Sequence, residues 1–596
     1  MPAKALSLII FASSLFQLSF AATVEEWRTR SIYQVMTDRF ALSSDTFWMP
    51  CHTELGLYCG GSWKGIIDNL DYIQGMNFDA IWVSPIVAQL PQYTSDGQAY
   101  AGYWQQDLFT INTKFGGLDD IHALIAAVHA RGMLFMLDVV PNHMAYNTYT
   151  GDPTNVNYTI FNPFNEKKYF HDYCPMDYSG VNSTALEECW LGSEHVPLVD
   201  LRTEDQEVQD IFGDWIEQMV ANYSVDGLRI DAGANVQPDF FPGFIKRSGV
   251  FATAEVYLSN ATQACEWQDA VGSMLNYPVY WPLVSAFQPG SSFSELASVM
   301  DAQKTYCQNT TAMATFSENQ DVPRFANSTS DLSLAMNIAT FVLMHDGIPV
   351  IYQGQEQHFS GGTNPFTNRE PLWEHGFDVF APIYQMIATL NLLRRHAMQT
   401  QPGLSTATSD LVYQDDHTMI MARGANGSQI VTVLTNSGQN ASSATLTVSL
   451  GGLGYVSGTQ LTEVLTCANY TVDSSGFIDL PMSEGLPRVL YPASALGNSS
   501  LCGLSGVRYN DVQQTVTATT MTATVSGSTT TMTLSVTVPL LTATLKNVQA
   551  TTGPGPAGSA GVRSLGNPSL ALCTALLALA ASGGLLERVR LLLHEK

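Results

Sequence analysis

At 596 residues the chain is too long for one compact domain, so two or three are expected. Its 53 acidic against 26 basic residues leave a formal net charge of −27, which argues against nucleic acid or an anionic membrane surface as a partner. A hydrophobic content of 45%, with 10 Trp and 24 Tyr, supplies a large core and leaves aromatic rings available for stacking.

At the N-terminus, Lys4 precedes an apolar stretch from Ala5 to Phe20, and Ser19-Phe20-Ala21 has the small-x-small cleavage pattern. Residues 1–21 therefore read as a secretory signal, with the mature chain beginning near Ala22. From 22 to 405, apolar runs alternate with amphipathic patterns. SIYQVM (31–36), FDAIWVS (78–84), MLFMLDVV (133–140), VDGLRI (225–230), VFATA (250–254), ATF (314–316) and IPVIY (348–352) are the strand candidates. A helix is expected from about Leu118 to Arg131, stopping at Gly132. Another is expected between Thr203 and Asn222, started by a capping box of Thr203 and Gln206. The alternation predicts an α/β fold, a closed (β/α)8 TIM barrel.

The stretch 142–199, after the third strand, is too long for a barrel loop and predicts an inserted folded domain. Beyond about residue 405 the texture changes to short alternating runs such as MIMAR (419–423), IVTVLTN (430–436) and ATLTVSL (444–450), predicting an antiparallel β-sandwich over 406–503. Residues 504–561 are rich in Ser, Thr, Gly and Pro, a stalk composition with nothing to pack. The tail 562–596 holds SLALCTALLALA (569–580), which fits a glycolipid-anchor signal. A tail-anchoring membrane segment or a plain secreted end are the alternatives, since GLLERVRLLLHEK (584–596) trails the apolar run.

Nine cysteines in a secreted chain predict disulfides plus one odd thiol. Cys51 and Cys59, Cys174 and Cys189, Cys265 and Cys307, and Cys467 and Cys502 fall into local couples, although spacing does not decide connectivity. Cys573 is left over. About ten Asn-x-Ser/Thr sequons, among them Asn157, Asn222, Asn260 and Asn426, fit a glycosylated extracellular protein.

Asp231, Glu255 and Asp321 each stand where an apolar run ends, and Asp138 does the same before Val139-Val140-Pro141-Asn142-His143. Acids at the ends of barrel strands converge on one rim. Splitting a sugar acetal requires one carboxylate as nucleophile and another as proton donor.

In order, DVVPNH (138–143), GLRIDAGAN (227–235), Ala254-Glu255-Val256 and FSENQD (316–321) resemble the signature segments of the α-amylase family of glycoside hydrolases. GYWQQDLF (102–109), DGIPVIYQGQEQH (346–358), GLPRVLYP (485–492) and the cysteine couples extend the resemblance to secreted fungal α-amylases of the Taka-amylase type, over about residues 24 to 503. The resemblance implies Asp231 as nucleophile, Glu255 as general acid/base and Asp321 as the acid that grips the distorted sugar. Arg229 would hold Asp231 ionised. Tyr103, Trp104 and His143 would line the subsite at the scissile sugar, with Arg369 and Asn364 at the next one. It also implies a Ca²⁺ site from the side chains of Asn142 and Asp200 and the main-chain carbonyls of Glu187 and Asn235.

Several cleft positions depart from the family pattern. Ala234-Asn235 replaces the usual Lys-His pair, Gln320 replaces the histidine before the third acid, Ala101 replaces another histidine, and Asn364 stands for an acid. Gln320 still donates a hydrogen bond but cannot become charged. The expected activity is retaining hydrolysis of internal α-1,4-glucosidic bonds. The alternatives are a 4-α-glucanotransferase, as in cell-wall-anchored fungal members with altered histidines, or a weakly active α-glucan-binding wall protein. A monomer acting on α-glucan or maltooligosaccharides at the cell surface or wall is expected, with no nucleic-acid partner.

Overall fold

The computed structural model describes residues 22–176, 183–503, 517–525 and 528–536. The expected signal segment 1–21, the tail 562–596 and Cys573 lie outside the described residues.

Seven parallel strands form the central sheet: Ile32–Val35, Ala80–Val83, Leu134–Val139, Gly227–Ile230, Phe251–Ala254, Ala314–Thr315 and Ile348–Tyr352. All seven candidate runs are therefore strands. The sequence left the eighth position blank. Met274 and Leu275 fill it as single parallel bridges to Ala254 on one side and Ala314 on the other, which closes the ring. Two residues followed by Asn276 and a helix at Tyr277–Ala286 carry too short an apolar run to read as a strand.

Register explains why the strands are continuously apolar. Ile32 pairs with Ala80 and Val350, and Ala80 with Leu134; these four belong to one cluster, inside the barrel. Their neighbours Tyr33, Ile81, Phe135 and Ile351 belong to the second cluster, packed under the outer helices. A strand buried on both faces has no polar side to alternate.

The helix expected from Leu118 runs Leu118–His129, and Gly132 takes φ +70 beyond it. The other expected helix starts later than predicted, as Gln206–Tyr223 with Asp205 at its N-cap position and no side-chain cap. Thr203 does not cap it. Its hydroxyl bonds the Gln237 side chain instead, and Gln206 bonds Asp210 one turn on. A tertiary partner outcompeted the local capping box.

Within the insertion, His143–Ala145, Pro197–Asp200 and Leu191–Gly192 make a small antiparallel sheet, with a short helix at Ser183–Glu188. All four cysteine couples are disulfides, with Cα separations of 5.2, 4.8, 5.2 and 5.3 Å. The C-terminal domain packs a six-stranded antiparallel sheet against the pair Ala444–Ser449 and Phe477–Met482. Buried polar contacts join it to the barrel: Arg423 donates to the His345 carbonyl at 2.9 Å, and Thr435 N–H donates to Asn337 at 2.9 Å. Inside the segment read as a stalk, Thr517–Val525 and Ser528–Val536 pair as an antiparallel ribbon. Thr- and Val-rich runs have high strand propensity, which the compositional reading undervalued. Among the described residues no helix is long and apolar enough to cross a membrane.

Candidate active site

Strand register assembles the charged centre. Arg229 lies directly across from Asp138 on the neighbouring strand. It is fully buried, and its Nη1 donates to Asp138 Oδ1 at 3.0 Å and to Asp231 Oδ1 at 2.6 Å. Its Nη2 lies 2.7 Å from Glu255 Oε2. The ladder runs one residue past each strand: Asp231 N–H donates to the Val139 carbonyl at 2.8 Å and Glu255 N–H to the Ile230 carbonyl at 2.8 Å. Both carboxylates thus stand on rigid backbone at the strand ends.

The turn after Asp231 completes Glu255's setting. Ala232 takes φ +49, a left-handed conformation that costs an L-residue roughly 1–2 kcal/mol. In return its N–H donates to Glu255 Oε2 at 3.0 Å. Tyr277 Oη donates to Glu255 Oε1 at 3.4 Å and itself accepts from Asn319 Nδ2 at 2.8 Å.

Three carboxylates around one guanidinium set the electrostatics. Burial works against the Arg229 cation, but Asp138, Glu255 and Asp231 outweigh it and raise its pKa further. Burial pushes Asp231 well up; Arg229 opposes this, while Glu255, Asp138 and Asp321 add to it. Asp321 is pushed up to about 6 by burial first and by Glu255 second, against the pull of Arg369. At Asp231 the Arg229 cation is the one influence that favours the ionised form a nucleophile requires.

The remaining sequence candidates fall around this centre. Tyr103 Oη donates to Asp138 Oδ2 at 2.9 Å and accepts from Gln320 Nε2 at 2.9 Å. Gln320 is buried, and its carbonyl oxygen accepts from Gln34. It is thereby built into the wall between Gln34 and Tyr103. His143 is also buried; its Nε2 lies 3.0 Å from the Tyr103 carbonyl, and burial lowers its pKa to about 4, so the ring is neutral. Trp104 packs beside Leu90 and beside Ala145 and Val196 of the insertion. Arg369 donates from Nε to the Gln320 carbonyl at 3.0 Å, from Nη1 to Tyr100 Oη at 3.0 Å and from Nη2 to Asp321 Oδ1 at 3.2 Å. It works as a partner of Asp321.

Asp231, Glu255 and Asp321 open into one cleft of about 960 Å³, which Tyr103, Trp104, His143, Asn235, Asn364 and Arg369 also line. Sequence reasoning missed Tyr257 and Phe366 on its walls, exposed by 43% and 44%. Tyr257 stands two residues past Glu255, in the loop that follows the strand Phe251–Ala254. Phe366 stands near none of the three acids in the chain.

The implied calcium set meets a donor test. Asp200 Oδ2 is buried without a hydrogen-bond partner among the described residues, while Oδ1 takes His171 Nδ1 at 2.8 Å. A carboxylate oxygen left unpaired in the interior suits a hard cation. Asn235 turns its amide onto the Leu186 carbonyl at 2.9 Å, and Gln237 reaches the Glu187 carbonyl at 3.3 Å, so the segment after Asp231 is laced to the insertion. Among the described residues no group of three or more His, Cys, Asp or Glu is placed to hold a metal. The implied set contains one carboxylate and otherwise amide and carbonyl oxygens, which such a group does not describe.

The profile described as "Alpha amylase, catalytic domain" matches residues 34–248 and 243–417, and "Alpha-amylase, domain C" matches 411–510. Alpha-amylase 1 of Lipomyces kononenkoae is 46% identical over 484 residues, covering 81% of this chain and 76% of that one. The chain belongs to the α-amylase family. Alpha-amylase 2 of Schwanniomyces occidentalis is 40% identical over 504 residues, 84% of this chain and 98% of that one. The solved α-amylase of Malbranchea cinnamomea is 44% identical with a TM-score of 0.77, covering 81% of this chain and all of that one. The chain is a glycoside hydrolase that cleaves α-glucans.

Proposed function

We propose that this family member cleaves internal α-1,4-glucosidic bonds with retention, through a glucosyl ester on Asp231. The observation that supports it most is the single buried guanidinium of Arg229, which touches both Asp231 and Glu255. It orients Asp231 through Oδ1, leaving Oδ2 to attack the anomeric carbon. Glu255 gives its proton to the departing glycosidic oxygen as that bond breaks. In the second step Glu255 takes a proton from water, and the water oxygen displaces Asp231. Asp321, held by Arg369, stabilises the oxocarbenium-like state.

A second reading has support of its own: transfer of the glucosyl ester to a sugar, making the chain a 4-α-glucanotransferase of the wall-anchored fungal type. Ala101, Asn235 and Gln320 remove polar side chains that would face the sugar, since Asn235 and Gln320 are turned onto Leu186 and Gln34. Incubating the secreted protein with maltoheptaose decides between the two. Only shorter products support hydrolysis; longer products support transfer. No products, with glucan still bound, would favour a binding protein and sink both.

We further infer that Asn142, Asp200, Glu187 and Asn235 hold Ca²⁺, whose chemistry would be structural, fastening the insertion to the barrel. The signal-like start and the apolar tail support secretion and attachment at the cell surface through a glycolipid. Release of the protein from cells by a phosphatidylinositol-specific phospholipase tests that attachment, and retention after treatment would count against it.

A further inference from the structure

Phe366 sits on a loop built onto the segment that carries Asp321. Asn368 Nδ2 donates to the carbonyls of Gln320 and Val322, each at 2.9 Å. Gly362 N–H donates to Thr367 Oγ1 at 2.9 Å, and Thr363 and Phe366 bridge across the turn. Gly361 lies so close to the far arm that a Cβ there would come within 2.0 Å of the Thr367 carbonyl oxygen. Glu370, gripped by Arg324 at 3.2 Å, ties down the near arm through Gly361 N–H at 2.7 Å. Such a loop holds its tip in place.

At that tip, the guanidinium of Arg369 lies 4.0 Å from the Phe366 ring centroid. Three N–H groups of the guanidinium are held by Gln320, Tyr100 and Asp321, which fixes its plane behind the ring. Phe366 is nonetheless 44% exposed and lines the cleft. The ring thus has a cation stacked against it and still presents surface to the cleft. The flat apolar surface of the ring matches the apolar face of a pyranose.

We infer that Phe366 is a specificity-determining platform on which one glucose unit of the α-glucan stacks, next to the unit gripped by Asp321. This inference rests on the proposed function of the cleft. Arg369 keeps its place on the cleft wall, behind the ring.

The test is the ladder of kcat/KM from maltose to maltoheptaose. In the wild type, kcat/KM rises as added glucose units reach further subsites. In Phe366→Ala one step of that rise is expected to shrink about tenfold, the loss of one stacked ring. Phe366→Leu keeps an apolar cover over Arg369 without a flat face and is expected to lose the same step, whereas Phe366→Trp keeps it. Melting curves confirm folding, and the leucine variant serves if the alanine variant is unstable. A ladder unchanged in Phe366→Ala, or lowered equally at every length, overturns the inference. A wild type that neither shortens nor lengthens maltoheptaose counts against the proposed function.

Discussion

Replacing Arg369 by methionine tests how Asp321 is kept ionised. The change removes a cation 3.2 Å from Asp321 Oδ1 while keeping most of the side-chain volume. Two unit charges at that distance attract by about 5 kcal/mol at an effective dielectric of 20. The Asp321 side chain is 33% exposed, so solvent screening reduces this to about 1–3 kcal/mol. That corresponds to about one to two pH units. Asp321 already titrates at about 6, because burial and Glu255 push it up and Arg369 pulls it down. Without Arg369 its pKa rises, so a higher pH is needed to ionise it. The acid limb of kcat/KM on maltoheptaose is therefore expected to move from near pH 6 to about 7–8, with much of the activity recovered on the alkaline side. Arg369→Lys keeps the charge but cannot reach Tyr100, Gln320 and Asp321 together, and should shift the limb less. If activity falls at every pH and the limb stays put, Arg369 serves the substrate rather than Asp321, and the reasoning here is wrong.

Asp231→Asn should lower kcat at least about 10³-fold with little change in melting temperature, since it removes the proposed nucleophile; retained turnover would dismiss the ester mechanism. Dialysis against a chelator should lower the melting temperature by several degrees and calcium should restore it, while Asp200→Asn should blunt both responses. A melting temperature indifferent to chelation would argue against the calcium set. Replacing Cys265 and Cys307 by serine opens a loop of 42 residues and should cost about 4 kcal/mol in equilibrium unfolding, by the chain-entropy estimate. A loss below about 1 kcal/mol would mean that packing, rather than the crosslink, holds that loop.

The three acids of the cleft were legible because each closes an apolar run, and buried parallel strands write themselves as such runs. The same logic failed at Met274-Leu275, where two bridging residues are too few to form a pattern. It failed again at Thr203, whose capping signature was local and whose partner, Gln237, was not. The inserted domain and the C-terminal sheets could be read from loop length and from alternation.

By itself the sequence determined the barrel, the order of its acids and membership of the α-amylase family, because strand runs and motif spacing are local properties of the chain. Only the tertiary structure decided what the side chains around those acids do. Gln320 looked like a sugar ligand that had lost its charge; it is a wall residue held by Gln34, 286 positions away. Arg369 is expected at a sugar subsite; it lines the cleft, but its plane is set by Asp321, Tyr100 and the Gln320 carbonyl, and the exposed ring in front of it is Phe366. A polar side chain bonds whichever partner the fold brings within reach, and that partner is set by the closing of the barrel, not by its neighbours in the chain.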